Sequence, residues 1–270
     1  MKFWKMNGAG NAFMIFDARS TPFAPTADQV RQIAADTKSD QVIALERAID
    51  KDVFMRIWNA SGDEVSACGN VTRCVGELLI DETGKPEVKI QTRADILKAR
   101  RAEQPGQITV DMGSPLLGWT DIPLAEAMDV RGVDIKIGPI DDPILARPAV
   151  VSMGNPHAVF FVEDVDAYDI LKIGPLVEWH PLFPEGANVG FAQIIDRQTI
   201  RLRVWERGAG LTLACGTGAC AALVCAARAG KTERRAKLLL DGGELDVHWQ
   251  EETDRVLMTG PVELELTGEL

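Results

Sequence analysis

The sequence predicts an α+β protein made of two duplicated halves, each a set of strands around one central helix. Three observations carry this. One stretch occurs twice: Phe54 to Cys74, ending WNASGDEVSACGNVTRC, and Arg201 to Cys220, ending WERGAGLTLACGTGAC. At an offset of 147 positions, Arg56, Trp58, Ala67, Cys68 and Gly69 fall on Arg203, Trp205, Ala214, Cys215 and Gly216. Two further landmarks keep nearly that spacing. Gly10-Asn11 before FMIF matches Gly154-Asn155 before AVFFV at an offset of 144, and ITVDMGSP resembles VLMTGP, with Met112 and Met258 offset by 146.

The elements follow in order. Alternating or continuous apolar runs bounded by turn residues give strands near Lys2 to Met6, Phe13 to Asp17, Gln41 to Glu46 and Val53 to Trp58. A helix near Thr26 to Ala35 has Thr26 as its N-cap. The first central helix follows Cys68, with Val71, Val75, Leu78 and Leu79 forming a stripe at helical spacing. Strands near Val88 to Thr92, Ile96 to Ala99 and Ile108 to Met112 complete this half. The stretch from Leu116 to Pro148 is richer in Pro and Gly and holds the linker, so the expected domains are 1–116, carrying Cys68, and 117–270, carrying Cys215.

The second half repeats the layout. Strands are expected near Ala149 to Ser152, Ala158 to Val162, Val189 to Ile195, Ile200 to Trp205, Ala236 to Leu240, Glu244 to Trp249 and Arg255 to Met258. Asp164 to Val177 includes a helix, interrupted or ended near Gly174-Pro175. The second central helix, Thr217 to Ala229, is small or apolar on nearly all sides and so is expected to be buried all round, with Gly230 as its stop.

Composition narrows the function. A net charge of −11 disfavours non-specific nucleic-acid binding and anionic membrane surfaces. The start, MKFWKMNGAGN, lacks an apolar signal segment, no run approaches membrane-spanning length, and the protein is expected in the cytoplasm. Five cysteines in 270 residues do not form a disulfide framework, and in a reducing compartment thiols are favoured. The expected partner is a small molecule, and a homodimer is allowed.

A cysteine at a helix N-terminus sits among unpaired N–H groups at the positive end of the helix dipole, which is expected to stabilise thiolate and lower its pKa. The same N–H groups can hold a carboxylate. Each motif therefore offers a base beside a carboxylate cradle. Zinc is a poorer reading, because Cys215, Cys220 and Cys225 are spaced five apart and diverge around one helix. Cys74, Cys220 and Cys225 are read as core residues. Two thiols on opposite sides of one carbon suit inversion at the α-carbon of an amino acid, one removing a proton and the other delivering one. Two other readings stay open: a different amino-acid racemase, acting for example on histidine or a hydroxyproline-like substrate, and a non-catalytic thiol or redox protein. A pyridoxal phosphate enzyme fits less well, since no lysine sits in a comparably organised motif.

The motifs KMNGAGNAF, NASGDEVSACGNVTRC, SMGNPHA, EGANVGF, RLRVWERGAGLTLACGTGACAA and MTGP together resemble those of the diaminopimelate epimerases, over nearly the whole chain. The resemblance implies two pseudo-symmetric domains, each a barrel-like layer around its central helix, with the active site between them. It implies a cofactor-independent isomerase interconverting LL- and meso-diaminopimelate in lysine and peptidoglycan precursor synthesis. Cys68 and Cys215 match the acid/base pair, and Gly69, Asn70, Gly216 and Thr217 match groups that hold the reacting carboxylate. Asn11, Gln41, Asn59, Asn155, Asn188, Glu206 and Arg207 match substrate-binding positions. His157 is placed either to orient the substrate amine or Glu206, or to serve as a structural histidine. The chain departs from the family pattern at Ala12, where an acidic residue is usual, at Lys38-Ser39 in place of a glycine-containing turn, at the order Ser61-Gly62-Asp63, and at Val71, where a small residue is usual.

Overall fold

The computed structural model describes residues 1–65, 68–139 and 141–270. Ala67, one of the repeat landmarks, lies outside the described residues. The chain forms two compact units, Met1–Asp111 with Thr259–Leu270, and Met112–Met258.

In the first unit β1 (Lys2–Gly8) pairs antiparallel with β2 (Asn11–Asp17), and the chain crosses through α1 (Ala27–Thr37) to β3 (Gln41–Glu46), parallel to β2. β4 (Val53–Asn59) returns antiparallel to β3 and pairs with the short β5 (Glu64–Val65). After α2 (Gly69–Thr83), β6 (Glu87–Gln91) lies parallel to β4 and continues antiparallel into β7 (Ile96–Arg101) and β8 (Gln107–Asp111). The chain's last strand, Glu263–Glu269, pairs antiparallel with β1, Trp4 opposite Thr267. α2 packs on β1, β6, β7 and β8 through Val71, Cys74, Val75 and Leu79. Gly76 lets it approach closely, since a Cβ there would lie 2.6 Å from the Ala99 Cβ. Thr26 caps α1 in a full capping box with Gln29.

The second unit repeats this plan. A two-strand pair, β9 (Lys136–Ile137) and β10 (Leu145–Ala146), precedes β11 (Ala149–Ser152), which pairs antiparallel with β12 (Pro156–Val162). α3 (Ile170–Glu178) carries the chain to β13 (Asn188–Asp196), parallel to β12, and β14 (Thr199–Glu206) returns antiparallel beside β15 (Gly210–Thr212). α4 (Gly216–Arg228) leads to β16 (Arg235–Leu240), parallel to β14, then to β17 (Gly243–Trp249) and to β18 (Val256–Pro261), whose residues from Thr259 on belong to the first unit. α4 touches six strands, β11 to β14, β16 and β17, and its residues Ala219 to Ala226 are at most 1% exposed. The all-round burial expected of this charge-poor helix is therefore met. The duplication extends to register: the parallel pair β2/β3 corresponds to β12/β13, and β4/β6 to β14/β16.

The short strands β5, β9, β10 and β15 and the final strand Glu263–Glu269 are not among the strands expected from sequence, and one helix runs further than the sequence suggests. α3 does not end near Gly174-Pro175 but runs through both to Glu178. Proline removes one N–H, which would otherwise donate to the carbonyl of Leu171, a residue on the exposed side of the helix, so only one intrahelical bond is given up.

Candidate active site

In the first unit the strand order brings the expected residues to one edge. β2 begins with Asn11, β3 begins with Gln41, and antiparallel β4 ends with Asn59 opposite Gln41. Gln41 Nε2 donates to Asn59 Oδ1 at 2.9 Å, while Gln41 Oε1 is buried with no hydrogen-bond partner among the described residues. Asn70, in the first turn of α2, donates from Nδ2 to Asn11 Oδ1 at 2.6 Å. Cys68 is the N-cap of α2, with extended backbone, and Gly69 is its first helical residue.

The departures are accommodated locally. The Ala12 N–H donates to Asp40 Oδ2 at 2.8 Å, so Asp40 anchors the strand start that carries Asn11. Lys38 adopts the left-handed conformation, φ 53°, that a glycine would take more cheaply. In the Ser61-Gly62-Asp63 turn, Gly62 has φ 96°, Ser61 Oγ bonds Asp63 Oδ2 at 2.7 Å, and the Asn59 N–H donates to the Asp63 carbonyl at 2.9 Å. Val71 is fully buried in α2.

The second unit gathers its own set. Cys215 is the N-cap of α4 and is 3% exposed, and its Sγ accepts the Gly218 N–H at 3.3 Å and lies 3.6 Å from Thr217 Oγ1. Asn155 Nδ2 reaches Thr217 Oγ1 at 3.4 Å. Glu206, at the end of β14, accepts the Thr212 hydroxyl at 2.6 Å, and its carboxylate acts electrostatically on the Cys215 thiol. Asn188 opens β13 and ties two segments together: its Nδ2 donates to the Pro156 carbonyl at 2.9 Å and its Oδ1 accepts the Arg207 N–H at 3.0 Å. Arg207 Nη1 donates to the Glu185 carbonyl at 2.8 Å. Gly216 is the first residue of α4, where N–H groups lack intrahelical acceptors.

The electrostatics correct one expectation. Cys215 does not have a lowered pKa: burial, and then the Glu206 carboxylate, raise it well above the usual thiol value, against the opposing pull of the Thr217 hydroxyl and the Gly218 N–H. Helix-end donors act on a thiolate, but loss of water and a neighbouring carboxylate outweigh them here. Burial also raises the Glu206 carboxyl. Cys74 and Cys225, at most 1% exposed, are pushed up to about 12 by burial, as core thiols should be. Cys220 is fully buried.

His157 bonds Asn155, Nε2 to Oδ1 at 3.0 Å, rather than Glu206. It is 1% exposed, and burial, then Arg207, lower its pKa to about 3, so it is neutral near pH 7 and orients Asn155. Three residues not singled out from sequence join these sets. Arg73, fully buried on α2, donates from Nη1 to Asn70 Oδ1 at 3.0 Å. Thr212 holds Glu206, and Glu178 holds the segment around it.

Each unit thus presents a cysteine at the start of its central helix, with amides gathered near it. These features define a duplicated α+β protein in which each half carries a cysteine at the start of its central helix. The structure of a predicted epimerase from Pseudomonas aeruginosa shares the fold, with a TM-score of 0.70 at 18% identity, covering 100% of this chain and 98% of that one. The sequence matches the Diaminopimelate epimerase family at residues 3–117 and 149–265. Diaminopimelate epimerase of Phenylobacterium zucineum (strain HLK1) is 53% identical over 271 residues, covering 99% of this chain and 97% of the relative. That of Rhodopseudomonas palustris (strain HaA2) is 50% identical over 269 residues, covering 98% and 92%. The chain belongs to the diaminopimelate epimerase family.

Proposed function

We infer that this protein is an isomerase that interconverts LL- and meso-diaminopimelate, serving lysine and peptidoglycan precursor synthesis. The observation that carries the reading is the family match running through both halves, with a cysteine capping the matched central helix in each.

The proposed reaction uses the two thiols without a cofactor. One cysteine, as thiolate, takes the α-proton. The electron pair left on carbon delocalises into the carboxylate, which the N–H groups at the helix starts stabilise, including those of Gly69, Asn70, Gly216 and Thr217. The other cysteine, as thiol, gives its proton to the opposite face and becomes the thiolate. Protons balance, and the two sulfurs end with exchanged states. Burial and Glu206 keep the proton on Cys215 before substrate enters, which supports Cys215 as a proton donor. A substrate ammonium beside Glu206 would neutralise the charge that opposes thiolate there.

The remaining side chains fit a substrate with two amino-carboxylate ends. The Arg207 guanidinium suits the distal carboxylate. The buried unpartnered Gln41 Oε1 suits an ammonium donor, because such an acceptor is costly to leave unpaired. Asn11, Asn59, Asn155 and Asn188 supply further donors and acceptors. The same reading puts the protein in the cytoplasm, whose reducing poise preserves thiols, acting on a small molecule as a monomer or homodimer. Among the described residues no helix is long and apolar enough to cross a membrane.

Incubation with LL-diaminopimelate, followed by chiral separation, tests the reading: meso product supports it. Absence of product, alongside turnover of proline- or histidine-type substrates in a panel, would transfer the activity to another amino acid.

A further inference from the structure

Glu178 matches no catalytic or substrate-binding position, yet its environment is unusual for a carboxylate. It is the last residue of α3 and 3% exposed, at a helix end whose carbonyls disfavour negative charge. A carboxylate withdrawn from water in that position requires strong donors. It has two: Trp205 Nε1–H donates to Oε2 at 2.6 Å, and the Gly208 N–H donates to Oε1 at 2.8 Å. These donors bracket Glu206 and Arg207.

We propose that Glu178 is a positioning residue: with one oxygen on Trp205 and the other on Gly208, it fixes both ends of the corner 205–208, holding Glu206 against Cys215 and Arg207 toward the substrate. The substrate half of this statement rests on the proposed function, whereas the Cys215 half does not.

Two other contacts converge on the same corner. The Trp205 indole lies directly on the backbone of α3, where a Cβ on Gly174 would come within 2.4 Å of the ring. The Arg207 N–H is held by Asn188 Oδ1 at 3.0 Å. Glu178 closes this frame from the helix side, its side-chain oxygens taken by Trp205 and Gly208 among the described residues. Around Cys215, burial and then the Glu206 carboxylate raise the thiol pKa, while Thr217 and the Gly218 N–H lower it. A released corner therefore removes the charge that, beside burial, opposes thiolate formation.

Glu178→Gln keeps the shape but turns an amide N–H toward one of the two donors, and Trp205→Phe deletes one donor while retaining the ring packing. Both variants and the wild type would be compared in three measurements: thermal midpoint, α-hydrogen exchange of LL-diaminopimelate in D₂O, and the pH profile of iodoacetamide alkylation at Cys215, followed by mass spectrometry with Cys74 and Cys225 as internal controls. The expected result is exchange reduced about tenfold or more, since small misplacements of reacting groups cost on that order. The Cys215 alkylation profile should move to lower pH while the two core cysteines stay protected. A change confined to the thermal midpoint, with exchange and the Cys215 profile as in the wild type, overturns the proposal. If Glu178→Gln does not fold, Trp205→Phe decides by the same criteria. Should the wild type exchange no diaminopimelate, the functional reading fails, while the alkylation profiles still test whether Glu178 holds Glu206 against Cys215.

Discussion

Replacing Gly174 by alanine tests how tightly the indole of Trp205 is set against α3. The added Cβ would lie 2.4 Å from both Trp205 Cγ and Cδ2 and 2.8 Å from Cε3, against an ordinary carbon–carbon contact of about 3.5 to 4.0 Å. The ring would have to move by more than ~1 Å relative to that contact distance. It cannot do so while Nε1 stays bonded to Glu178 at 2.6 Å. Overpacking costs about 1–3 kcal/mol, and losing a hydrogen bond to a charged group costs about 1.5–3 kcal/mol. Alanine recovers about 1 kcal/mol over glycine inside a helix. The balance is a destabilisation of about 1.5–5 kcal/mol, and at about 2–4 °C per kcal/mol for chains of this size the Tm should fall on the order of 3–20 °C. Scanning calorimetry or circular dichroism on the purified protein reads this directly. In a Trp205→Leu background the same glycine-to-alanine step should become nearly neutral, because its partner in the clash is gone. A Tm equal to or above that of the wild type, as helix propensity alone would give, refutes the packing described here.

Three further outcomes are expected. Lys38→Gly should stabilise the protein by about 1 kcal/mol in urea unfolding, since Lys38 holds φ 53° at the end of α1; a loss of stability would mean that the Lys38 side chain contributes more than its backbone costs. His157 is depressed from 6.5 to about 3 in the folded chain, so unfolding takes up a proton as pH drops through that window, and stability that is complete above pH 6.5 is lost toward pH 3. The loss amounts to about 4–5 kcal/mol at ~1.4 kcal/mol per unit; His157→Gln should flatten this part of the pH–stability curve, and identical slopes in the two proteins would contradict it. Cys68→Ser and Cys215→Ser should each fold and lose about 10² to 10⁴-fold in turnover, because a hydroxyl is a far weaker acid than a thiol; a loss smaller than about tenfold in either removes that residue from the chemistry.

Much of the fold is legible because the strands alternate and the helices are capped by residues with one clear purpose. Gln41–Glu46 and Ala149–Ser152 form over the expected spans, and Thr26 caps where its hydroxyl and the following Gln29 require. The final strand, Glu263–Glu269, carries no such pattern: its leucines, Leu264 and Leu266, are 52% and 56% exposed, and its partner β1 lies at the other end of the chain. α3 passes Pro175 because a nine-residue helix gives up one solvent-side bond and gains the seat of Trp205 at Gly174. In the site, the duplicated Cys-Gly pairs mark both helix starts in sequence. Glu178 and Arg73 do not announce themselves, since a single charge on a helix ordinarily faces water, and only the folded chain places their partners around them. The raised pKa of Cys215 was hidden for a related reason. Capping donors can be read from local sequence, but burial and the approach of Glu206 cannot.

The central claim, that two separate thiols exchange protons with one α-carbon, is tested most directly by isotope transfer at low conversion. The thiol that delivers a proton equilibrates with solvent before substrate binds, so in D₂O the first product should carry deuterium at the inverted carbon while unreacted substrate stays largely unlabelled. Mass spectrometry of both stereoisomers, at a few per cent conversion and starting from LL- and from meso-diaminopimelate in turn, gives the answer. Substantial return of the substrate's own hydrogen to the product would contradict the two-thiol account, even if both cysteines proved essential.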